Sequence, residues 1–232
     1  MECISPGTTI NHSYQVIKRI GSGVSGTVYQ AHDIYSQKDV AIKVYSVEHQ
    51  ETFNNEMNVI MNLYNDFIIR CYGSFTEEGV GECLVMEYAD GGSLLDTLKT
   101  FHSLPEEVVK KYIMSILIAL SEIHSKNYIH SDIKAANILI KDGVPKLSDF
   151  GVSSTINDNT LKGSPYWMSP ETVLGLPQTD KSDIWSIGAL MIELLTGKPP
   201  FASHPTSVAL MLLQGLEVPE IPEHRIVMSS MA

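Results

Sequence analysis

The spacing of apolar positions changes character near Gly91-Gly92. Upstream of that point, short β-rich runs recur at Tyr14 to Ile20, Thr27 to Asp33 and Val40 to Tyr45. Glycines or polar stretches separate them, as between antiparallel strands. From Glu51 to Leu63 the period becomes helical, with Phe53, Met57, Ile60 and Met61 on one face. Ile68 to Phe75 and Cys83 to Glu87 return to strand character around a turn at Glu77 to Gly81. The pattern predicts a small unit of five antiparallel strands and one helix.

Downstream the reading is mostly helical. Ser93 to Thr100 is a short helix with Ser93 placed to cap it, and Glu106 to Ser125 is the longest amphipathic run. Pro105 stands where a first helical turn tolerates it. Ser182 to Thr196 is a second strong helix, stopped by Gly197 and Pro199-Pro200, and a last one is expected around Ser207 to Gln214. Between them Tyr128 to Pro170 reads as loop, too long to be idle. The class is α+β in two lobes: an extension over 1–13, a small lobe over 14–87, a hinge at 88–92 and a helical lobe over 93–232.

Composition narrows what such a chain does. With 232 residues, 44% of them hydrophobic, it can bury one sizeable core or two small ones. A net charge of −11 leaves no basic field to collect a phosphate backbone, so nucleic acid is not an expected partner. No apolar run approaches the ~18 residues of a membrane span, and no membrane partner is expected. Three cysteines, Cys3, Cys71 and Cys83, make no disulfide framework. Met1 to Ser13 lacks a basic-then-apolar leader, so the expected setting is cytosolic.

Three groups of residues carry chemistry. Gly21-Ser22-Gly23-Val24-Ser25-Gly26-Thr27-Val28 lies between two predicted strands. Phosphate oxygens need backbone N–H groups close by, and glycine has no Cβ to block the approach. Alone the run fits a Gly-rich hairpin as well as a phosphate cradle. A dinucleotide fingerprint is disfavoured because a strand follows it, not a helix. Lys43 closes the apolar strand Val40-Ala41-Ile42, and Glu56 follows 13 residues later on the predicted helix. As an isolated pair they read equally as a solvated strand end and its neighbour. The third group is more specific: Asp132, Lys134 and Asn137 in one polar loop, then Asp149-Phe150-Gly151 twelve residues after Asn137. Phosphoryl transfer needs a carboxylate near the attacking hydroxyl, oxygen ligands for Mg²⁺, and a cation for developing charge.

Taken in order, these motifs resemble those of the eukaryotic protein kinases: the Gly-rich loop, Val-Ala-Ile-Lys, His130-x-Asp132-x-Lys134-x-x-Asn137, Asp-Phe-Gly and Ser169-Pro170-Glu171. The resemblance covers Tyr14 to about Gln214. Asp132-x-Lys134 is similar to the serine/threonine type. Gly91-Gly92-Ser93-Leu94 and Gly163-Ser164-Pro165-Tyr166-Trp167-Met168 resemble the MAP-kinase-cascade group, sterile-type kinases included. The family implies a bilobal fold, ATP and Mg²⁺ as cofactors, and a protein substrate, with a downstream kinase among the candidates. It also implies roles. Ile20, Gly21, Gly23, Gly26, Val28 and Ala41 would cover phosphates and adenine, and Lys43, fixed by Glu56, would hold the α/β-phosphates. Met86 would guard the back pocket, Glu87 and Ala89 would offer backbone hydrogen bonds to adenine, and Leu139 would floor the pocket. Asp132 would take the substrate proton, Lys134 would neutralise the γ-phosphate, and Asn137 with Asp149 would hold the metal. Asp183 would anchor the catalytic loop.

The sequence departs from that family in two places. Ser131 stands where arginine usually grips an activation-loop phosphate, so a phosphate on Thr160 is expected to be held weakly. The family also continues through further helices and supplies an arginine for Glu171. Arg225 comes too early for that, so the helical lobe reads as truncated, with apolar positions between Ile184 and Leu195 left uncovered. A catalytically weak scaffold that keeps the kinase shape is the alternative reading.

Overall fold

Alternation along one strand shows how the first part of the chain is built. In β4 (Lys38–Tyr45), Ile42 and Val44 face one side of a sheet and Ala41, Lys43 and Tyr45 the other. The computed structural model describes residues 4–23 and 26–222. In it, β1 (Thr9–Ile10), β2 (Tyr14–Ser22), β3 (Gly26–Asp33), β4, β5 (Cys71–Glu77) and β6 (Gly81–Glu87) form one antiparallel sheet, ordered β1-β2-β3-β4-β6-β5. The five strands expected from the pattern are all present, and the two-residue β1 is added at the edge. Ile10 is only 1% exposed, so residues ahead of Tyr14 complete the apolar outer face formed by Val16, Tyr29, Ala31, Ile42, Val44 and Val85.

The inner face of the sheet carries α1 (Gln50–Ile60), which buries Phe53, Glu56, Val59 and Ile60. Phe53 and Glu56 are three apart and Val59 three further on, so a carboxylate shares the stripe that meets the sheet. A larger core runs from Tyr45, Phe53, Leu84 and Met86 into the helical part at Ile133, Leu147, Phe150 and Leu190.

The helices follow their sequence signals. α2 (Leu94–Phe101) begins with a capping box in which Ser93 Oγ accepts from Asp96 N and Asp96 accepts from Ser93 N. α3 (Glu106–Ser125) starts directly after Pro105. Tyr128 to Pro170, expected as loop, contains the short strands β7 (Tyr128–Ile129), β8 (Ile138–Lys141), β9 (Val144–Leu147) and β10 (Ser154–Thr155). Asp142-Gly143 turns β8 into β9 with φ of 50° and 77°, the left-handed pair of a tight hairpin. α4 (Pro170–Val173), α5 (Asp180–Thr196) and α6 (Thr206–Gln214) complete the described chain. α5 starts two residues ahead of its predicted start because Thr179 caps it, accepting from Lys181 N. Ile184 and Met191 on α5 are 44% and 37% exposed, whereas Ile187, Ala189, Leu190 and Leu194 of the same helix are buried. Arg225 lies outside the described residues. No helix among the described residues is long and apolar enough to cross a membrane.

Candidate active site

The site is assembled by three local devices. The first is the edge where β2 turns back into β3. A side chain at Gly26 would place its Cβ 2.1 Å from Val44 O, so only glycine lets β3 lie this close to β4. Gly23 N donates to Gly26 O (2.9 Å) and joins the two strand ends; Val24 and Ser25 lie outside the described residues.

The second device is the pairing of β4 with α1. Lys43 Nζ lies 2.7 Å from Glu56 Oε2 and 2.8 Å from Asp149 Oδ1. Burial works against the Lys43 charge, but the two carboxylates outweigh it and hold the ammonium pKa above its usual value. Burial likewise pushes against the Asp149 charge, and Lys43 reverses the balance, so its carboxyl sits below the ordinary range. The Asp149 side chain is still 46% exposed and faces the cleft. Its own φ is 63°, a left-handed backbone that swings the carboxylate out of the strand path. Asn55, next to Glu56, donates to Phe150 O, Gly151 O and Ser153 O at 3.4, 3.3 and 2.9 Å, tying α1 to the segment that follows Asp149.

The third device is the loop between β7 and β8. Asp183, fully buried at the start of α5, accepts from His130 N (2.9 Å) and Ser131 N (3.0 Å), and His124 Nε2 lies 2.8 Å from it. Glu193, further along the same helix, accepts from Ala135 N and Trp167 Nε1, both at 2.9 Å. The rigid helix thus grips the loop on both sides of Asp132. In the loop itself, Asp132 Oδ2 accepts from Lys134 Nζ (2.8 Å) and Asn137 Nδ2 (2.9 Å). Its other oxygen, Oδ1, is buried without a hydrogen-bond partner among the described residues. Lys134 Nζ also reaches Ser164 Oγ at 2.6 Å. Gly163 permits this approach: a Cβ there would lie 2.2 Å from Ser131 O, and its φ is 100°.

Together these devices frame a cleft of about 800 Å³. Every residue to which the resemblance gives a role toward nucleotide, metal or transfer lines it: Ile20, Gly21, Gly23, Gly26, Val28 and Ala41 above, Met86, Glu87 and Ala89 along the connection, Leu139 below, and Lys43, Glu56, Asp132, Lys134, Asn137 and Asp149 at its inner end. The donor set suits a hard cation. Asn137 spends its Nδ2 on Asp132 O and Oδ2, which leaves its carbonyl oxygen for another partner, and Asp149 adds a carboxylate. Residues that the sequence reading missed also meet here. His49 and Thr52 line the cleft, and Tyr45 and Asn55 hold Glu56 and the Asp149 segment from behind.

The segment around Thr160 is held by its own side chains. Asp158 Oδ1 accepts from Thr160 N (2.8 Å) and from the Thr160 hydroxyl, and Asp158 Oδ2 pairs with Lys162 at 2.9 Å. These contacts, the Thr160 hydroxyl first, bring the Asp158 carboxyl down to about 2. Gln178 Nε2 donates to Thr160 O at 2.9 Å. Ser131 contributes no charge, its Oγ lying 3.2 Å from Ser154 Oγ. Among the described residues Glu171 is bonded by Ser182 Oγ (2.7 Å) and by no cation.

A sheet with one helix above, a helical body below, and a lysine–carboxylate pair facing a polar loop across the cleft define a protein kinase. The protein kinase domain model matches residues 14–228, and the chain belongs to that family, as a serine/threonine kinase similar to those of the MAP-kinase cascade. Among relatives, it is 40% identical to serine/threonine-protein kinase ppk11 of Schizosaccharomyces pombe over 87% of this chain and 68% of that one. It is 36% identical to serine/threonine-protein kinase STE20 of Yarrowia lipolytica, over 90% of this chain and 19% of the other. Identity to human mitogen-activated protein kinase kinase kinase 3 is 34%, over 95% and 38% respectively. The chain therefore spans about two thirds of the first relative and much less of the other two.

Proposed function

We propose that the chain transfers the γ-phosphate of ATP to serine or threonine hydroxyls of a protein, with Mg²⁺ as the metal. The observation that carries this reading is the Asp132 carboxylate, whose Oδ2 is occupied by Lys134 and Asn137 while Oδ1 is buried and unbonded. A buried acceptor without a donor is costly, and a substrate hydroxyl entering the cleft supplies that donor. Asp132 then orients the hydroxyl and accepts its proton as the oxygen attacks the γ-phosphorus. Lys134, beside it, offsets charge on the transferred group, and Lys43, fixed by Glu56, holds the α/β-phosphates. Asn137 and Asp149 are the residues that would hold Mg²⁺, which when bound supplies positive charge on the β- and γ-phosphates. Glu87 and Ala89 offer backbone groups to adenine, with Val28, Ala41 and Leu139 enclosing the ring.

A place in a MAP-kinase-type cascade, with a downstream kinase as substrate, is supported by the names of the STE20 and mitogen-activated relatives. A reducing, cytosolic setting belongs to the same reading: Cys71 and Cys83 are free, and burial pushes the Cys83 thiol up to about 12. The second reading, a scaffold without transfer, draws on the exposed apolar positions of α5. The two separate in one assay. With Mg-ATP and a basic protein acceptor, labelled phosphoserine or phosphothreonine supports the kinase. Nucleotide-dependent thermal stabilisation without transfer supports the scaffold.

A further inference from the structure

Glu56 is fully buried, and both donors it has among the described residues converge on one of its oxygens: Lys43 Nζ at 2.7 Å and the hydroxyl of Tyr45 on Oε2, while Oε1 has no partner among them. The Tyr45 bond is therefore not redundant. Tyr45 reaches Glu56 because it stands two residues after Lys43 on β4, on the same face of the sheet. Its ring is only 1% exposed, packs edge-on against Phe53 of α1 with centroids 5.2 Å apart, and lies 5.1 Å from Lys43 Nζ. One side chain thus touches the lysine, the carboxylate and the helix that carries the carboxylate.

From this convergence we propose that Tyr45 is a positioning residue. Its hydroxyl fixes the Glu56 carboxylate, and with it α1, so that Lys43 stays aimed into the cleft. The part concerning phosphate transfer rests on the function proposed above; the part concerning α1 does not. Without the hydroxyl, a buried carboxylate would keep a single donor, which Asp149 shares. Hydrogen bonds to charged acceptors are among the stronger ones, and a buried charge short of partners is relieved by moving toward water. α1 would swing outward with Glu56, and Lys43 would fall to Asp149 alone.

The test uses Tyr45→Phe in the full chain, which keeps the ring against Phe53 and removes only the hydroxyl. Two readouts are followed. Amide hydrogen exchange over Gln50–Ile60 is expected to rise about tenfold, with exchange in α3 and α5 unchanged. In phosphate transfer from Mg-ATP to a histone acceptor, kcat is expected to fall about tenfold with KM for the histone unchanged. In a Glu56→Gln background the same substitution should add less than about twofold. Unchanged exchange in α1, or an equal loss of kcat in both backgrounds, would overturn the proposal. If the unmutated chain transfers no phosphate, the kinase reading fails and the exchange result alone decides the role of Tyr45.

Discussion

Lys43 is where burial and charge compete most openly. Its side chain is 8% exposed, and its ammonium lies between Glu56 and Asp149, which raise its pKa above the usual 10.5 despite the burial. Its share of stability is therefore fully present below 10.5 and lost only as pH climbs past the folded value. Asp149 is the opposite case: its pKa is lowered from 3.8, so its share is present above 3.8 and lost as pH falls through the folded value. Between about pH 5 and pH 9 neither group changes charge. In Lys43→Met the Asp149 carboxyl loses the cation that most offsets its burial, so the variant's deficit in urea midpoint at pH 7 should shrink as pH falls toward 3.8. A deficit independent of pH would mean that Lys43 is not what holds the Asp149 carboxyl down. In phosphate transfer, Lys43→Met should reduce kcat by about 10²-fold or more, the scale of losing one charge aimed at a developing anion.

At the level of elements, α5 is the part that the loop chemistry leans on. Asp183 satisfies two backbone N–H groups of the 130–131 segment, and Asp183→Ala would leave both donors unpaired, that of His130 buried and that of Ser131 partly so. A loss of about 2–5 kcal/mol in a urea melt is expected; a loss under about 0.5 kcal/mol, the range of ordinary surface changes, would show that the loop does not depend on it. The activation segment makes a different prediction. Asp158, itself paired with Lys162, and Gln178 already hold Thr160, and Ser131 provides no cation for a phosphate. Thr160→Ala should therefore change kcat by less than about twofold, since no cation at position 131 waits to grip a phosphate there. A large loss would assign the segment a phosphate-dependent role. Elements differ in how plainly the chain announces them. Ser93 with Asp96, Pro105 before α3, and Gly197 after α5 mark their helix ends directly in the sequence. The two-residue strands β7 and β10 were not legible, because a run that short has no period to detect, and their pairing is set by distant neighbours. The β8–β9 hairpin could have been found from Asp142-Gly143 between apolar runs.

Across the whole molecule, the cleft was legible because phosphate chemistry constrains residue type and order: glycines, a lysine, an aspartate, an asparagine and a second aspartate. What supports those groups from behind was not. Tyr45 reads as an ordinary strand residue and Asn55 as a polar helix position. Their partners are 11 residues away in one case and almost a hundred in the other, so no local spacing links them. The central claim concerns one atom, Oδ1 of Asp132, buried without a donor among the described residues in a side chain that lines the cleft. Its most direct test is single-turnover transfer of labelled phosphate from Mg-ATP to a basic protein, comparing the chain with Asp132→Asn. The rate should fall by about 10²–10⁴-fold, the span of a lost general base, while Mg-ATP still raises the melting temperature of both proteins. Equal rates from the two, or thermal stabilisation of both by nucleotide with no phosphate transferred by either, would contradict the account.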